Sequence, residues 1–169
     1  SNAGLEVSGI VRCEGELFFD GSGSNAIINQ SSGDITFGDF SILNITNTIN
    51  AALVNAGTIS VNGSFTIESV SRNGVFNTGT FFVDSNGILL LESCGFSGVV
   101  NQGTFDTQSG SDITINASQN AGIINTGTFT NKGSLLLENI QTSTAILNDG
   151  GTFGNVGDLT ETSSDKAYH

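Results

Sequence analysis

Val99-Val100-Asn101-Gln102-Gly103-Thr104-Phe105 is one copy of a short phrase that recurs along the chain: two apolar residues, an asparagine, one variable residue, then Gly-Thr-Phe. Close copies occupy 53–59, 75–81 and 123–129, and longer variants occupy 27–35 and 146–153. The apolar residue that ends the phrase falls at positions 35, 59, 81, 105, 129 and 153, so the spacing is 24 residues at every step except one of 22. A constant period of this kind indicates a repeat architecture.

A second phrase follows each copy after about six residues: a glycine, and then two apolar residues separated by one position. Such alternation is typical of a strand with one buried face. The pairs are Phe40/Ile42, Phe65/Ile67, Leu89/Leu91, Ile113/Ile115 and Leu135/Leu137. No stretch places apolar residues at helical spacing for long enough to indicate a helix.

Matching phrases at constant spacing favour parallel stacking over hairpins, because each residue then lies about 4.8 Å from its counterpart in the next coil. We therefore predict an all-β fold, a single-stranded parallel β-helix (β-solenoid) of about seven coils, each of about 24 residues with three short strands.

The predicted stack assigns structural roles to three columns. An internal aromatic column is expected from Phe81, Phe105, Phe129 and Phe153. A corner ladder of amide hydrogen bonds is expected from Asn29, Asn55, Asn77, Asn101, Asn125 and Asn148. The threonines at 58, 80, 104, 128 and 152 are expected to face outward from the strand that points the phenylalanines inward.

The repeat also divides the chain. Ser1-Asn2-Ala3 looks like the remnant of a cleaved expression tag, and 27–157 are expected to form the regular coils. Residues 4–26 are expected to form an atypical first coil or cap, since Ile10–Leu17 resembles the phrase with Arg12 in place of the asparagine. From 158 to 169 the pattern fades, as at a frayed tail or a truncation point.

Composition restricts the partners. Sixteen acidic residues against four basic ones give a net charge of −12, which disfavours binding to nucleic acid and to anionic membranes. No apolar run approaches the roughly 20 residues of a membrane-spanning helix, so membrane insertion is not expected. Cys13 and Cys94 are predicted to lie about three coils apart, which is too far for a disulfide.

The Asn-x-Gly-Thr-Phe and Ile-Ile-Asn phrases resemble the right-handed parallel β-helix repeats of large bacterial surface proteins, adhesins and autotransporter-like passengers, within the pectin-lyase-like superfamily. The resemblance covers residues 10–157. It implies a secreted or surface-attached bacterial protein and a non-catalytic structural and binding role, with an extracellular glycan or another surface protein as partner.

The same superfamily includes polysaccharide-degrading enzymes, and this is the alternative function. Its lyases resemble one another in using a basic proton abstractor beside clustered Asp ligands for calcium. Arg12, Arg72 and Lys132 occupy different offsets in different coils, so they are not expected to converge on one substrate. A hydrolase that uses two carboxylates stays open, since 16 acidic residues allow some pair at the required separation. No residue is assigned a catalytic role.

Two candidate binding features remain. Glu68, Glu92 and Glu138 follow the apolar pairs in register, with Asn116 between them and Glu161 near the same place. Stacked carboxylates either splay into water or share a hard cation, so both a solvated acidic stripe and a weak calcium site stay open; no other cofactor is expected.

The variable segments 44–52, 70–74, 93–98, 116–122 and 139–145 are expected at one corner, where Phe96 is the candidate ligand-binding aromatic. Exposed coil ends also predict end-to-end self-association.

Overall fold

Residues 3–141 and 144–162 are described by the computed structural model, and over them the chain winds through seven coils of three strands each. Every coil contributes one strand to each of three seven-stranded sheets, here named A, B and C in the order in which the chain meets them. All pairings are parallel and join each strand to its counterpart in the next coil. The predicted all-β parallel solenoid is confirmed, and no helix occurs within these residues.

The strands are numbered in chain order. Sheet A contains β1 (Leu5–Val7), β4 (Ile27–Asn29), β7 (Leu53–Asn55), β10 (Val75–Asn77), β13 (Val99–Asn101), β16 (Ile123–Asn125) and β19 (Ile146–Asn148). Sheet B contains β2 (Ile10–Cys13), β5 (Asp34–Phe37), β8 (Thr58–Val61), β11 (Thr80–Val83), β14 (Thr104–Thr107), β17 (Thr128–Asn131) and β20 (Thr152–Asn155). Sheet C contains β3 (Glu16–Asp20), β6 (Ile42–Thr46), β9 (Ser64–Val70), β12 (Ile88–Cys94), β15 (Asp112–Asn116), β18 (Ser134–Glu138) and β21 (Asp158–Thr162).

The core lies on the solenoid axis and consists of inward-facing columns. Phe81, Phe105, Phe129 and Phe153 stand opposite one another in successive sheet B strands. Their rings stack nearly parallel, with centroids 4.8, 4.7 and 5.2 Å apart. The threonines before them in sequence are exposed, because neighbouring residues of a strand point to opposite faces. The sheet B phrase thus supplies both a core column and a surface column.

The first coil has a different register from the one predicted. Val11, not Leu17, pairs with Ile35, and Leu5 pairs with Ile27. Along sheet B the 24-residue spacing therefore includes the first coil, from Val11 to Ile35. Val7 occupies the asparagine position of this coil, and Arg12 is an exposed sheet B residue.

The apolar pair of the second coil was also placed wrongly. Leu43 and Ile45 are the buried residues, whereas Phe40 is 86% exposed and Ile42 faces outward. In this coil the glycine opens the turn between β5 and β6, in which the Ser41 amide donates to the Gly38 carbonyl at 3.0 Å. The apolar residues consequently begin later after the glycine than in the third coil.

The corner after sheet C is made by a column of left-handed residues. Five successive coils place a non-glycine residue there with φ between 51° and 59°: Asn47, Ser69, Ser93, Ala117 and Asn139. Each turns the chain so that the next residue points inward again. The segments that follow are the variable corner predicted from the sequence. No helix long and apolar enough to cross a membrane is present among the described residues.

Candidate functional site

The six predicted ladder asparagines lie at the ends of sheet A strands β4 to β19 and form one continuous hydrogen-bonded column. In each step Nδ2 of one asparagine donates to Oδ1 of the next, at 2.7–2.8 Å. From Asn29 to Asn125 the same Nδ2 also donates to a backbone carbonyl of the following coil, at 2.9–3.0 Å. The column therefore ties sheet A to the start of sheet B at every corner.

The ladder ends where the first coil departs from the phrase. Val7 is the counterpart of Asn29 in the first coil, and its side chain has no amide group to donate a hydrogen bond. Asn29 Oδ1 is consequently a buried acceptor without a hydrogen bond. The ladder is structural, and apart from Asn29 Oδ1 the linking amide groups from Asn29 to Asn125 bond within the chain.

A second, shorter ladder lies at the end of sheet B and was missed by sequence reasoning. Thr107 Oγ1 donates to Asn131 Oδ1 at 2.9 Å, and Asn131 Nδ2 donates to Asn155 Oδ1 at 2.8 Å. The signal was present as a second Asn-x-Gly, in Asn131-Lys132-Gly133 and again in Asn155-Val156-Gly157.

The acidic column is the outward position near the end of each sheet C strand. Glu68 and Glu92 are adjacent in this column, and Glu138 is separated from them by Asn116. Glu161, expected near the same place, lies one residue before the column position, because Thr162 pairs with Glu138 and Glu161 pairs with Leu137. Among the described residues no group of three or more His, Cys, Asp or Glu side chains is placed to hold a metal ion. Weak calcium binding by Glu68, Glu92 and Glu138 stays a prediction.

The same column begins with Asp20 in the first coil. Hydrogen bonds from Asn47 Nδ2 at 2.8 Å and Thr46 Oγ1 at 2.9 Å hold the pKa of Asp20 below its usual value. At the other end Thr162 Oγ1 donates to Glu138 Oε1 at 3.3 Å. At its two ends the column therefore pairs a carboxylate, Asp20 or Glu138, with neutral donors.

The variable corner is itself stacked from coil to coil. The Phe96 amide donates to the Arg72 carbonyl at 2.9 Å, and the Asn120 amide donates to the Phe96 carbonyl at 2.8 Å. The Phe96 side chain is 47% exposed. The structure therefore places this candidate aromatic on a fixed backbone, between Arg72 of one coil and Asn120 of the next.

Grooves lie at two places on the surface of the described residues. One runs between this corner and the outer side of sheet A, and it is lined by Asn25, Asn50, Ala51, Val54, Arg72, Asn73 and Phe76. The other lies at the turns from sheet B to sheet C, along 109–112, 132–134 and 156–158. Beside the second groove Lys132 Nζ forms an ion pair with Asp106 at 3.1 Å.

The basic side chains predicted not to converge occupy separate places. Arg12 is on sheet B in the first coil, Arg72 is at the corner of the third, and Lys132 follows sheet B in the sixth.

The two thiols are likewise separate. Cys13 is partly buried on sheet B of the first coil and Cys94 is buried in the fourth, and both are free. Burial raises the pKa of the Cys94 thiol to about 12.

Comparison with protein-family models, with curated protein sequences and with solved structures finds nothing that matches this chain.

Proposed function

We propose that this chain is a non-catalytic structural and binding segment of a secreted or surface-attached bacterial protein, in the manner of the β-helix stalks and adhesins that its phrases resemble. Its proposed ligand is an extracellular glycan or another surface protein. A solenoid of stacked coils presents long surfaces on which side chains recur at the strand spacing, and such surfaces suit extended ligands.

The observation that carries the proposal is the exposed Phe96 on a corner whose backbone is hydrogen-bonded in both directions along the axis. A half-exposed aromatic held on a fixed backbone offers apolar contact area at little conformational cost. Arg72 and Asn120 are its backbone hydrogen-bond partners in the adjacent coils, and a guanidinium and an amide are groups that can bind the hydroxyls or carboxylates of a glycan or the side chains of a protein.

The alternative, a polysaccharide-degrading enzyme, requires a proton abstractor within hydrogen-bond reach of its target and a second group acting on the same substrate. The separate positions of Arg12, Arg72 and Lys132 favour the binding role.

The test is incubation with a panel of acidic and neutral polysaccharides, with and without calcium, measuring co-sedimentation and the release of soluble oligosaccharides. Phe96→Ala is compared with Phe40→Ala, a matched control because Phe40 is an exposed phenylalanine at a different corner. Binding that weakens about tenfold in Phe96→Ala and is unchanged in Phe40→Ala supports the proposal. Released oligosaccharides would establish the enzyme instead.

Calcium dependence has its own control in the same assay. If binding requires calcium, Glu68→Gln and Glu92→Gln are expected to weaken that calcium-dependent binding, because the amide is a neutral and weaker ligand for a hard cation. Binding that is the same with and without calcium leaves these residues as a solvated stripe.

A further inference from the structure

Charge is unevenly distributed over the three faces of the solenoid. From the second to the sixth coil the outer side of sheet A has no charged residue along 25–30, 51–56, 73–78, 97–102 and 121–126. We call this surface the uncharged face. It is bounded by Glu6 in the first coil and Asp149 in the seventh. A charge-free face is unusual on a chain whose net charge is −12.

The centre of the uncharged face is an apolar ridge. The middle residue of each three-residue strand points outward, and in-register pairing stacks these side chains into a single column. The ridge consists of Ile28, Val54, Phe76, Val100 and Ile124, all partly exposed, and Leu147 continues it with 41% exposure. Contiguous exposed apolar surface on a soluble protein marks an interaction site.

We infer that the uncharged face is a lateral docking surface for a second copy of this chain. Two copies that each carry −12 repel one another. The approach that brings the fewest like charges together joins the two uncharged faces. A groove lies beside the ridge and runs from Val54 and Phe76 to Asn50 and Arg72, so it is open to the ridge of a second copy. Under a two-fold axis parallel to the solenoid and lying between them, the ridge of each copy enters the groove of the other.

The small area of the uncharged face indicates a weak interaction. Five strands at the sheet spacing and about six residues across give on the order of 500 Å² per copy, or about 1,000 Å² in total. That area is at the lower limit of specific interfaces, so the dimer is weak, with a dissociation constant on the order of 100 μM. Phe76 is the aromatic of the ridge and the side chain expected to contribute most, as aromatic residues near the centre of an interface generally do.

The test is sedimentation equilibrium of the full chain from about 10 μM to about 1 mM, a range that brackets the expected constant. A monomer–dimer equilibrium that strengthens at higher salt is expected, because salt screens the repulsion between the two acidic copies. A monomer over the whole range would overturn the inference. An open series of oligomers that Phe76→Thr leaves unchanged would overturn it as well, since end-to-end stacking does not close and does not use this face.

Two matched variants locate the interface. Phe76→Thr removes the ridge aromatic, whereas Phe82→Thr removes an outward, partly exposed phenylalanine of the same coil on sheet B. Threonine keeps the β-propensity of both strands. Phe76→Thr is expected to raise the dissociation constant about tenfold and Phe82→Thr to leave it unchanged, whereas equal effects of the two would exclude this face.

A third variant keeps the test informative if Phe76→Thr misfolds. Val100→Thr is nearly isosteric and places a hydroxyl on the ridge, so it weakens a dimer formed through this face even if Phe76→Thr does not fold. Circular dichroism establishes which variants are folded. Undiminished dimerisation of folded Val100→Thr would count against the inference.

Discussion

Asn101 Nδ2 donates to Asn125 Oδ1 at 2.8 Å and to the Thr128 carbonyl at 2.9 Å, so one buried amide binds both a side chain and the backbone of the next coil. Its own Oδ1 accepts a bond of 2.8 Å from Asn77. Removing such a side chain removes the hydrogen bonds that link three coils at one corner. It also leaves their polar partners unpaired in a dry interior, which is energetically costly.

Asn101→Ala is therefore expected to lower the free energy of unfolding by about 2–4 kcal/mol, because Asn125 Oδ1 and the Thr128 carbonyl lose a buried donor. Asn148→Ala is the control, since Asn148 is exposed at the last rung and water can replace its bonds; a loss below about 1 kcal/mol is expected there. Urea unfolding measures both. Similar losses would show that burial of the ladder is not what makes it stabilising.

The aromatic column predicts a similar gradient. Phe105 is fully buried between Phe81 and Phe129, with centroids at 4.8 and 4.7 Å, whereas Phe153 is only partly buried at the end of the column. Phe105→Leu keeps most of the apolar volume but loses two ring contacts, so we expect a loss of about 1–3 kcal/mol. Phe153→Leu loses one, and its thermal midpoint should fall by clearly less. An equal fall would mean that ring stacking contributes little.

These columns could be predicted because every regular coil repeats the same phrase, and parallel stacking converts a sequence period directly into contacts. The first coil departed from the prediction because Val7 replaces the ladder asparagine, and Ile10–Leu17 imitated the phrase. Phe40 and Ile42 were predicted as the buried pair because they follow the glycine of their coil. In the second coil that glycine, Gly38, begins the turn before the strand, whereas in the fourth coil Gly87 ends the equivalent turn.

Other features had weak or no sequence signals. Asn131 and Asn155 share the Asn-x-Gly of the main ladder, but the preceding coils have Val83 and Thr107 at that position, so no long column was visible. The left-handed corner contains Asn47, Ser69, Ser93, Ala117 and Asn139. Asparagine favours this conformation, but serine and alanine give no such signal, so the column could not be recognised from residue type alone. Phe96 could be singled out from the sequence, but its exposure required the structure.

The left-handed corner gives a prediction in which glycine stabilises. Ala117 has φ of 59°, a conformation that costs an L-residue about 1 kcal/mol and glycine almost nothing. Ala117→Gly is expected to raise stability by about 0.5 kcal/mol after the extra entropy of the unfolded chain is subtracted. Ala56→Gly is the matched control, because Ala56 is outside this set of positive-φ residues, and it should lose about 0.5–1 kcal/mol. If thermal unfolding shows that Ala117→Gly and Ala56→Gly both lower stability, this prediction is contradicted.

Cys94 predicts how stability depends on alkaline pH. Burial raises the pKa of its thiol from an ordinary value near 9 to about 12, so the folded chain keeps a proton that the unfolded chain releases. Above pH 9 the unfolded state therefore binds fewer protons, and stability falls with rising pH until the folded thiol also ionises near pH 12. Within this window the slope approaches about 1.4 kcal/mol per pH unit.

Cys94→Val isolates this contribution, because valine already occupies the equivalent position of the preceding coil, where Val70 pairs with Cys94. Urea unfolding at a series of pH values between 8 and 11 should show that the free energy of unfolding falls less steeply with pH in the variant than in the parent chain. Below pH 9 the two proteins should have the same pH dependence. Thiol reagents supply an independent measurement. The partly buried Cys13 should react in the folded chain, whereas Cys94 should react at the rate of unfolding, since the thiolate is the reactive form. Equal alkaline slopes for the two proteins would show that Cys94 ionises in the folded state as readily as in the unfolded one.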